Sequence, residues 1–453
     1  MTPLRHLPLA ALLLAAALPL EAQTGLTIYN SGRVLVRRTL DVKVPKGASE
    51  QRVSLGTLEP ATLFPLDPAV SLLAATYDGG TDQQSTLRRS VGKSLLFQRG
   101  PAVADTVRAT LLAVDPERYR LADGSVAFQA PGVPRFPADA VIVEPSVALS
   151  LTSTKALPSL GLGYFTGGAA WSASYQVTLG GKEARVAGSA VVESSALNVA
   201  DAELQLLAGD VGAPPAAPPM AWARGVVVGT NAFEEASVSK EERLGEAHLY
   251  TVPGKVTLRP GQTTVQALFQ PASGPVAKRL VVRSGLPYWG AIQQIGDAED
   301  VPVNVTYVVT RALKTPFGDT PLPAGQVQIY QPDAAGRLQV IGSAHIGHTA
   351  AGQPMELEAG TAFDYTAKRS QTAYASTREP LGTYTVAADY SVTLANATDS
   401  VATIDVLEER GGDWSVVQSS LPAERVSSTR VRFKVPVPAK GEATLTYRIK
   451  ATW

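Results

Sequence analysis

Histidines are the first residues to consider for chemistry, because imidazole binds metals and exchanges protons near neutral pH. The closest pair in the sequence is His345 and His348, with Gly347 between them. Paired histidines share a face when they stand four apart on a helix or two apart on a strand. A spacing of three on a strand points the two rings apart. We therefore predict a polar hairpin here, with a partial metal site as the alternative, and we interpret His248 as a strand residue.

The nucleophile patterns of the common hydrolases do not occur in the sequence. There is no Gly-x-Ser-x-Gly elbow, and the lack of cysteine excludes thiol catalysis. The glycine-rich stretch from Gly161 to Gly167 superficially resembles a phosphate-binding loop, but it lacks the Lys-Ser/Thr pair that completes one. These glycines are better explained as a bend before the strand that contains Trp171. No catalytic, cofactor-binding or metal-binding residue is assigned, and no cofactor is expected.

Two acidic clusters lie on predicted loops, at residues 297–300 and 408–413. Paired carboxylates would suit glycoside hydrolysis or calcium binding if they converged in space. Neither cluster has EF-type spacing and the sequence does not show that they converge, so solvated loops are the favoured interpretation. A carboxylate-dependent hydrolase acting on an envelope polymer is kept as an alternative, and whether the chain is an enzyme stays open.

The N-terminus has the pattern of a secretory signal peptide. A short basic start is followed by an apolar run from Leu7 to Leu20, which is shorter than the ~20 apolar residues of a membrane span. Cleavage after Ala22 would leave Gln23 as the first mature residue, although Leu20 is larger than the residue usual at its position. We expect residues 1–22 to be removed and the chain to reach the periplasm, the cell surface or the medium, with no transmembrane helix in the mature chain.

Charge and composition favour a globular exported protein. Lys plus Arg and Asp plus Glu both total 40, so zero net charge gives no long-range attraction to nucleic acid or to an anionic membrane. The 453 residues suffice for roughly three domains. The lack of cysteine excludes disulfides, but a chain of this size can bury a sizeable core without them.

Apolar and polar residues alternate with period two along most of the chain, which predicts an all-β protein. A hairpin is predicted between Leu26 and Val44, and Trp171 and Tyr175, four apart on one strand, are predicted to face one core. We predict multiple antiparallel β-sandwich modules with a small inserted β-barrel-like subdomain. The predicted segments are N-terminal hairpin strands joining the central domain at 23–84, the small subdomain at 85–145, a central sandwich at 146–290 and a C-terminal sandwich at 291–453.

The last strand, from Ala443 to Trp453, alternates up to a terminal aromatic residue, as the strands of outer-membrane barrels do. Aromatic residues make up only 6% of the chain and 33 prolines interrupt the strand patterns. A final sandwich strand is therefore favoured, and an outer-membrane β-barrel is a less favoured alternative.

Short motifs spread over the mature chain are similar to those of one bacterial family. They are Leu26–Gly32, Trp171-Ser-Ala-Ser-Tyr175, Leu207-Ala-Gly-Asp210, Leu322-Pro-Ala-Gly325, Ala362-Phe-Asp364, Asp413-Trp414 and the end from Val437 to Tyr447. Together they resemble an exported family of unknown function that includes mucoidy-inhibitor-A-like proteins. The resemblance implies an exported, all-β protein of several sandwiches and supplies no catalytic residues. Asp201-Ala202 stand near the point where a tryptophan is often expected.

Export, sandwich modules and the lack of convergent reactive residues favour a non-enzymatic cell-envelope protein that binds a protein or glycan partner. Sandwich faces and edges recognise partners by strand addition and by loop contacts. Nucleic acid is not expected, because the strands at 85–145 carry no aromatic stacking pair beside basic residues. The sequence leaves the oligomeric state open.

Overall fold

The computed structural model describes residues 23–100, 105–209, 238–284, 292, 298–378 and 384–452. The predicted signal peptide, Asp210 and Asp297 lie outside these residues. Within them the chain is mostly strand, arranged in several mainly antiparallel sheets, which confirms the all-β prediction. None of the helices in these ranges has the length and hydrophobicity of a membrane span.

The described residues form thirty strands, two short α-helices and two turns of 3-10 helix. The first part contains β1 Thr24–Tyr29, β2 Val34–Leu40, β3 Gly47–Ser54, a 3-10 turn Pro60–Thr62, β4 Phe64–Pro65, β5 Val70–Asp78, α1 Gln83–Arg89, β6 Ser94–Gln98, β7 Thr106–Val114, β8 Glu117–Leu121, β9 Val126–Ala127, β10 Val133–Arg135, a 3-10 turn Ala138–Ala140, β11 Ser146–Ser153, β12 Leu160–Thr166, β13 Ala169–Gly180, β14 Glu183–Ser194 and β15 Val199–Ala208. The second part contains β16 Lys240–Leu244, β17 Ala247–Leu258, β18 Gln262–Ser284, β19 Glu299–Val301, β20 Val303–Val309, α2 Pro316–Asp319, β21 Gly325–Pro332, β22 Leu338–Ile346, β23 Met355–Thr361, β24 Tyr365–Arg378, β25 Tyr384–Asn396, β26 Ala402–Glu409, β27 Asp413–Ser419, β28 Glu424–Ser427, β29 Arg430–Val437 and β30 Gly441–Thr452.

The N-terminal hairpin forms as its alternation predicts. β1 and β2 are antiparallel with Leu26 opposite Val36, and both residues are buried. β1 also pairs in parallel with β15, so it lies in the middle of a seven-stranded sheet ordered β16-β17-β15-β1-β2-β12-β4. A three-stranded sheet, β3-β11-β5, shares the same hydrophobic core, which we call the first core.

A five-stranded sheet ordered β10-β6-β7-β8-β9 has a small core of its own. Leu87 of α1 packs there with Phe97 and Tyr119. α1 begins after Asp82, whose carboxylate accepts a hydrogen bond from the backbone N–H of Ser85 and so caps the helix. The sequence predicts strands in this part of the chain but not this helix, and the predicted domain boundaries stay predictions.

The longest strand, β18, contributes to two cores. Its first part pairs with β14, and its last part pairs with β20 and β26. Leu268 and Phe269 lie in the first core, whereas Leu280 and Val282 lie in a second core. A ten-stranded sheet therefore continues from one core to the other, along the path β22-β21-β13-β14-β18-β26-β29-β28 with β20 and then β23 branching from β18. The second core is completed by a five-stranded sheet ordered β19-β24-β25-β30-β27.

A buried ionic network joins the two sheets of the second core. Glu408 of β26 is fully buried, and Arg369 of β24 and Arg410 approach its carboxylate to 3.4 Å and 2.8 Å. The hydroxyl of Tyr447 on β30 donates a hydrogen bond to the same carboxylate at 2.7 Å. Burial is the largest single influence on Arg369 and lowers its pKa, but the Glu408 carboxylate together with Tyr447 and Tyr390 outweighs burial and holds that pKa above its ordinary value. The network therefore fixes charged groups from both sheets against each other.

A second buried arginine fixes a loop of the first core through its backbone. Arg311 is 2% exposed, and its guanidinium donates hydrogen bonds to the carbonyl oxygens of Phe317, Thr320, Ala350 and Gln353. Burial lowers the pKa of Arg311. Because a buried guanidinium needs its N–H groups satisfied, Arg311 ties the loop that leads into β21, through Phe317 and Thr320, to the loop between β22 and β23, through Ala350 and Gln353.

Two tyrosines of the first core hold the same loop. The Tyr175 hydroxyl donates to the carbonyl oxygen of Pro323 at 2.7 Å, and the Tyr250 hydroxyl donates to that of Pro321 at 3.1 Å. Burial raises the pKa of Tyr175, and burial with the Glu241 carboxylate raises that of Tyr250. Both hydroxyls therefore stay protonated in the folded chain at pH values where an exposed tyrosine ionises.

Removal of the buried carboxylate should destabilise the second core strongly. Glu408→Ala leaves the buried Arg369 and the partly buried Arg410 without this counter-charge, so we expect the free energy of unfolding to fall by about 3–5 kcal/mol in urea titrations. The control is Asp389→Ala, which removes a partly exposed pair with Arg448 and should cost at most about 1 kcal/mol. Equal losses in the two variants would contradict the role of the network.

The buried tyrosines should make the fold sensitive to alkali. In the unfolded chain a tyrosine ionises near pH 10, whereas in the folded chain Tyr175 and Tyr250 ionise only at higher pH. Their stability contribution is therefore complete below pH 10 and falls above it by about 1.4 kcal/mol per pH unit for each group. The part of the tyrosinate absorbance that comes from the buried tyrosines should appear together with the loss of β-sheet circular dichroism, and Tyr175→Phe should make the pH dependence shallower. Tyr330→Phe, on the β21–β22 hairpin, is the control, and a chain that stays folded while Tyr175, identified by the absorbance lost in Tyr175→Phe, becomes tyrosinate would contradict this expectation.

Candidate functional site

An open groove of about 680 Å³ lies where the first core meets the second. Its floor is the outer face of the ten-stranded sheet, at the last part of β18 and on β20, β26 and β29. The β21–β22 hairpin, β23 and β28 supply the remaining side chains. Junctions between packed modules are common positions for ligand sites, because their walls come from different elements.

Alternation along β18 places charged side chains on the groove floor. Leu280 and Val282 point into the second core, so Arg279, Val281 and Arg283 point the other way, into the groove. Val281 is buried although it lies on the outer face. An apolar side chain therefore lies between two guanidinium groups along the middle of the floor.

The neighbouring strands continue the same pattern across the sheet. Asp405 of β26 is opposite Val281, and Thr306 of β20 is opposite Arg279. Next to them, Leu407 of β26 is opposite Arg432 of β29. Charged and apolar groups thus alternate across the strands as well as along β18.

The wall of the groove carries polar groups that face this floor. Gln326 of β21 and His345 of β22 are directly opposite each other in the hairpin, and both line the groove. Glu356 and Glu358 stand two apart on β23, so they share one face of that strand. The groove therefore brings together side chains that lie up to 153 residues apart in sequence, from Arg279 to Arg432.

Ion pairs form at the ends of the groove. Arg283 pairs with Glu358, Arg430 with Glu409 at 2.8 Å, and Arg432 with Glu424 at 2.6 Å. The hydrogen bonds from Arg432 lower the pKa of Glu424 and raise that of Arg432 itself. These ion pairs hold the side chains of Arg283, Arg430 and Arg432 in place at the ends of the groove.

The ionisable groups at the centre of the groove differ from those at its ends, because they are not held in ion pairs. Among the described residues, the side chains of Arg279, His345, Glu356 and Asp405 make no hydrogen bond or ion pair, although the Asp405 carboxylate is close enough to Arg432 to help raise the pKa of that arginine. One guanidinium donor group and two carboxylate acceptors therefore face the same cavity unpaired. This arrangement can bind a ligand that offers both donors and acceptors.

A second cavity, of about 640 Å³, lies on the outer face of the seven-stranded sheet. Its polar side chains bond to one another: Arg37 donates to Gln205 at 2.5 Å, and Gln23 donates to Glu203 at 2.6 Å. Because these groups already satisfy one another, the groove at the junction is the stronger candidate site.

The histidines noted in the sequence do not meet. His345 faces the groove, whereas the Nδ1 atom of His348 accepts a hydrogen bond from the backbone N–H of Ala324 at 3.2 Å. His248 lies on β17, as predicted, and its Nδ1 atom is 2.7 Å from Glu241 on β16. Across the part of the chain that the structure describes, no three His, Asp or Glu residues gather in a way that could hold a metal ion.

The two acidic clusters also remain apart. Glu408 is fully buried in the second core, Glu409 pairs with Arg430, and Asp413 is exposed at the start of β27. Glu299 and Asp300 are exposed on β19, which is a separate edge strand. The groove carboxylates, on β23 and β26, come from outside both clusters. Glu409 of the second cluster only pairs with the groove residue Arg430.

The remaining residues singled out in the sequence have structural positions. Trp171 and Tyr175 are both buried in the first core, as predicted from their spacing. The indole N–H of Trp171 donates to the carbonyl oxygen of Leu207. The glycine-rich stretch is part of β12, where a side chain at Gly163 would collide with the ring of Phe64. Close packing, and not phosphate binding, accounts for that glycine.

No family model matches the chain, and no curated protein matches it.

Proposed function

We propose that this chain is an exported cell-envelope protein that binds another macromolecule in the groove between its two cores. The observation that carries the proposal is the set of unpaired polar side chains, Arg279, Glu356 and Asp405, that converge on one open cavity. Unpaired charged groups on a rigid sheet are ready to bind a ligand without reorganisation. Catalysis is not part of the proposal.

The N-terminal sequence supports export. The apolar run from Leu7 to Leu20 ends close to Gln23, and the first strand of the fold begins at Thr24. A cut after Ala22 would therefore leave β1 complete. The motifs around Trp171 and Leu322 support the further proposal that the chain belongs to the exported family that includes mucoidy-inhibitor-A-like proteins.

A carboxylate-dependent hydrolase acting on an envelope polymer is the second candidate function. The observation that favours it is the presence of Glu356, Glu358 and Asp405 in one groove. Glycoside hydrolysis uses two carboxylates on either side of the scissile bond. Glu358 is paired with Arg283, which leaves Glu356 and Asp405 as the two groups that such a reaction would need.

The proposal predicts processing and saturable binding. Mass spectrometry of the exported chain should show Gln23 as its first residue. The immobilised mature chain should retain a component of an envelope extract, and retention should saturate. Arg279→Glu reverses an unpaired charge at the centre of the groove, so it should reduce retention by roughly tenfold or more.

Arg52→Glu is the matched control, because Arg52 is an exposed arginine on the outer face of the three-stranded sheet. It should leave retention unchanged. An unprocessed chain, or equal retention by both variants, would contradict the proposal. Release of shortened polymer, lost in Glu356→Gln and in Asp405→Asn, would establish the hydrolase instead.

A further inference from the structure

We infer that the ligand of the groove is an uncharged, hydroxyl-rich glycan chain, and this inference rests on the proposed function. The juxtaposition that carries it is an unpaired guanidinium, Arg279, and an unpaired carboxylate, Asp405, on either side of the buried Val281. Four features of the groove argue for this ligand class over a peptide or a polyanion.

The backbone of the groove floor is already fully engaged in sheet pairing. β18 pairs with β20 on one side and with β26 on the other, and β26 pairs on its far side with β29. An extended peptide usually binds by adding a strand to backbone groups at an open sheet edge. The floor is a sheet face and offers no such edge, so recognition on the floor comes from side chains, whereas the strands that end the sheet, β22, β23 and β28, lie at the sides of the groove.

The unpaired side chains supply both kinds of hydrogen-bonding group. Arg279 can only donate, whereas Glu356 and Asp405 in their ionised forms can only accept. A hydroxyl group both donates and accepts, so neighbouring hydroxyls of one sugar can satisfy both kinds of group. Bonds to charged partners are about twice as strong as neutral ones, which compensates for the water that the sugar displaces.

The balance of charges is unsuitable for a polyanion. Four arginines line the groove, but three carboxylates line it with them, and three of the arginines are held in ion pairs. A phosphate or uronate chain would therefore meet Glu356 and Asp405 without enough free cations to offset the repulsion. A neutral chain meets no such repulsion.

The shape and the apolar strip of the floor fit an oligomer. From β23 through β20, β18 and β26 to β29 there are four strand spacings, or about 19 Å at the usual separation. This length suits several linked sugar units and exceeds a single one. Val281 and Leu407 lie along this line and can contact the C–H face of a sugar ring.

Titration calorimetry of the mature chain with cellohexaose, chitohexaose and maltohexaose tests the inference. At least one neutral oligomer should bind, with little dependence on salt because the ligand carries no charge. The double variant Arg279→Ala/Asp405→Ala removes one donor group and one acceptor group, so it should weaken binding by roughly tenfold or more. Both side chains lie on the sheet surface and make no hydrogen bond or ion pair, so circular dichroism and the thermal midpoint should match those of the unmodified chain.

The matched control is Arg52→Ala/Glu50→Ala, which likewise removes one arginine and one carboxylate, from the exposed face of the three-stranded sheet. Binding should be unchanged in this control. Tighter binding of hexagalacturonate than of the neutral oligomers, or no neutral binding, would overturn the glycan inference.

The material captured from an envelope extract separates this inference from the proposed function. Capture that survives protease supports the glycan if it is abolished by periodate, which cleaves vicinal sugar diols, or by chitinase or lysozyme, which cut chains of N-acetylated sugars that lack such diols. Capture that is abolished by protease but survives periodate overturns the glycan and leaves the proposed function in place, provided that Arg279→Glu still prevents it. If nothing is captured, both the glycan and the proposed function fail.

Discussion

The continuous hydrogen bonding of β18 is the constraint on which the rest of the structure depends. One strand, from Gln262 to Ser284, pairs with β14 in the first core and with β20 and β26 in the second. The peptide group between Pro275 and Val276 marks the change of partners: its carbonyl accepts from Thr310, and its N–H donates to the carbonyl of Lys182. Since the two ends of a trans peptide group point in opposite directions, β20 and β14 lie on opposite edges of β18.

This change of partners creates the groove. β20 and β23 extend from one edge of β18 while β26 and β29 extend from the other, so a wide sheet face opens beside the β21–β22 hairpin. The hairpin is held in place by the buried Arg311 and by Tyr175 and Tyr250, which bind the loop that leads into it. The floor is held from behind by the Glu408 network. Buried polar groups on both sides thus fix the geometry of an exposed polar site.

The sequence predicts the strands better than it predicts the site. Period-two alternation identifies the β1–β2 hairpin and places Trp171 and Tyr175 in one core, because burial of one sheet face imposes that pattern directly. α1 is missed, because seven residues with one capping aspartate give little periodic signal. The alternation of Arg279, Val281 and Arg283 in the sequence indicates that β18 has a charged face. The sequence does not indicate that this face lies beside Glu356 and Asp405, because strand order and register depend on long-range pairing that no local pattern encodes.

The continuity of β18 through both cores implies that they form one cooperative structure, and native-state hydrogen exchange with mass spectrometry in moderate denaturant tests this claim most directly. We expect amides from both parts of β18, and from the cores on either side, to exchange with one common free energy of opening. A second core that opens at clearly lower free energy, with amides 276–284 exchanging while amides 262–275 remain protected, would contradict the claim.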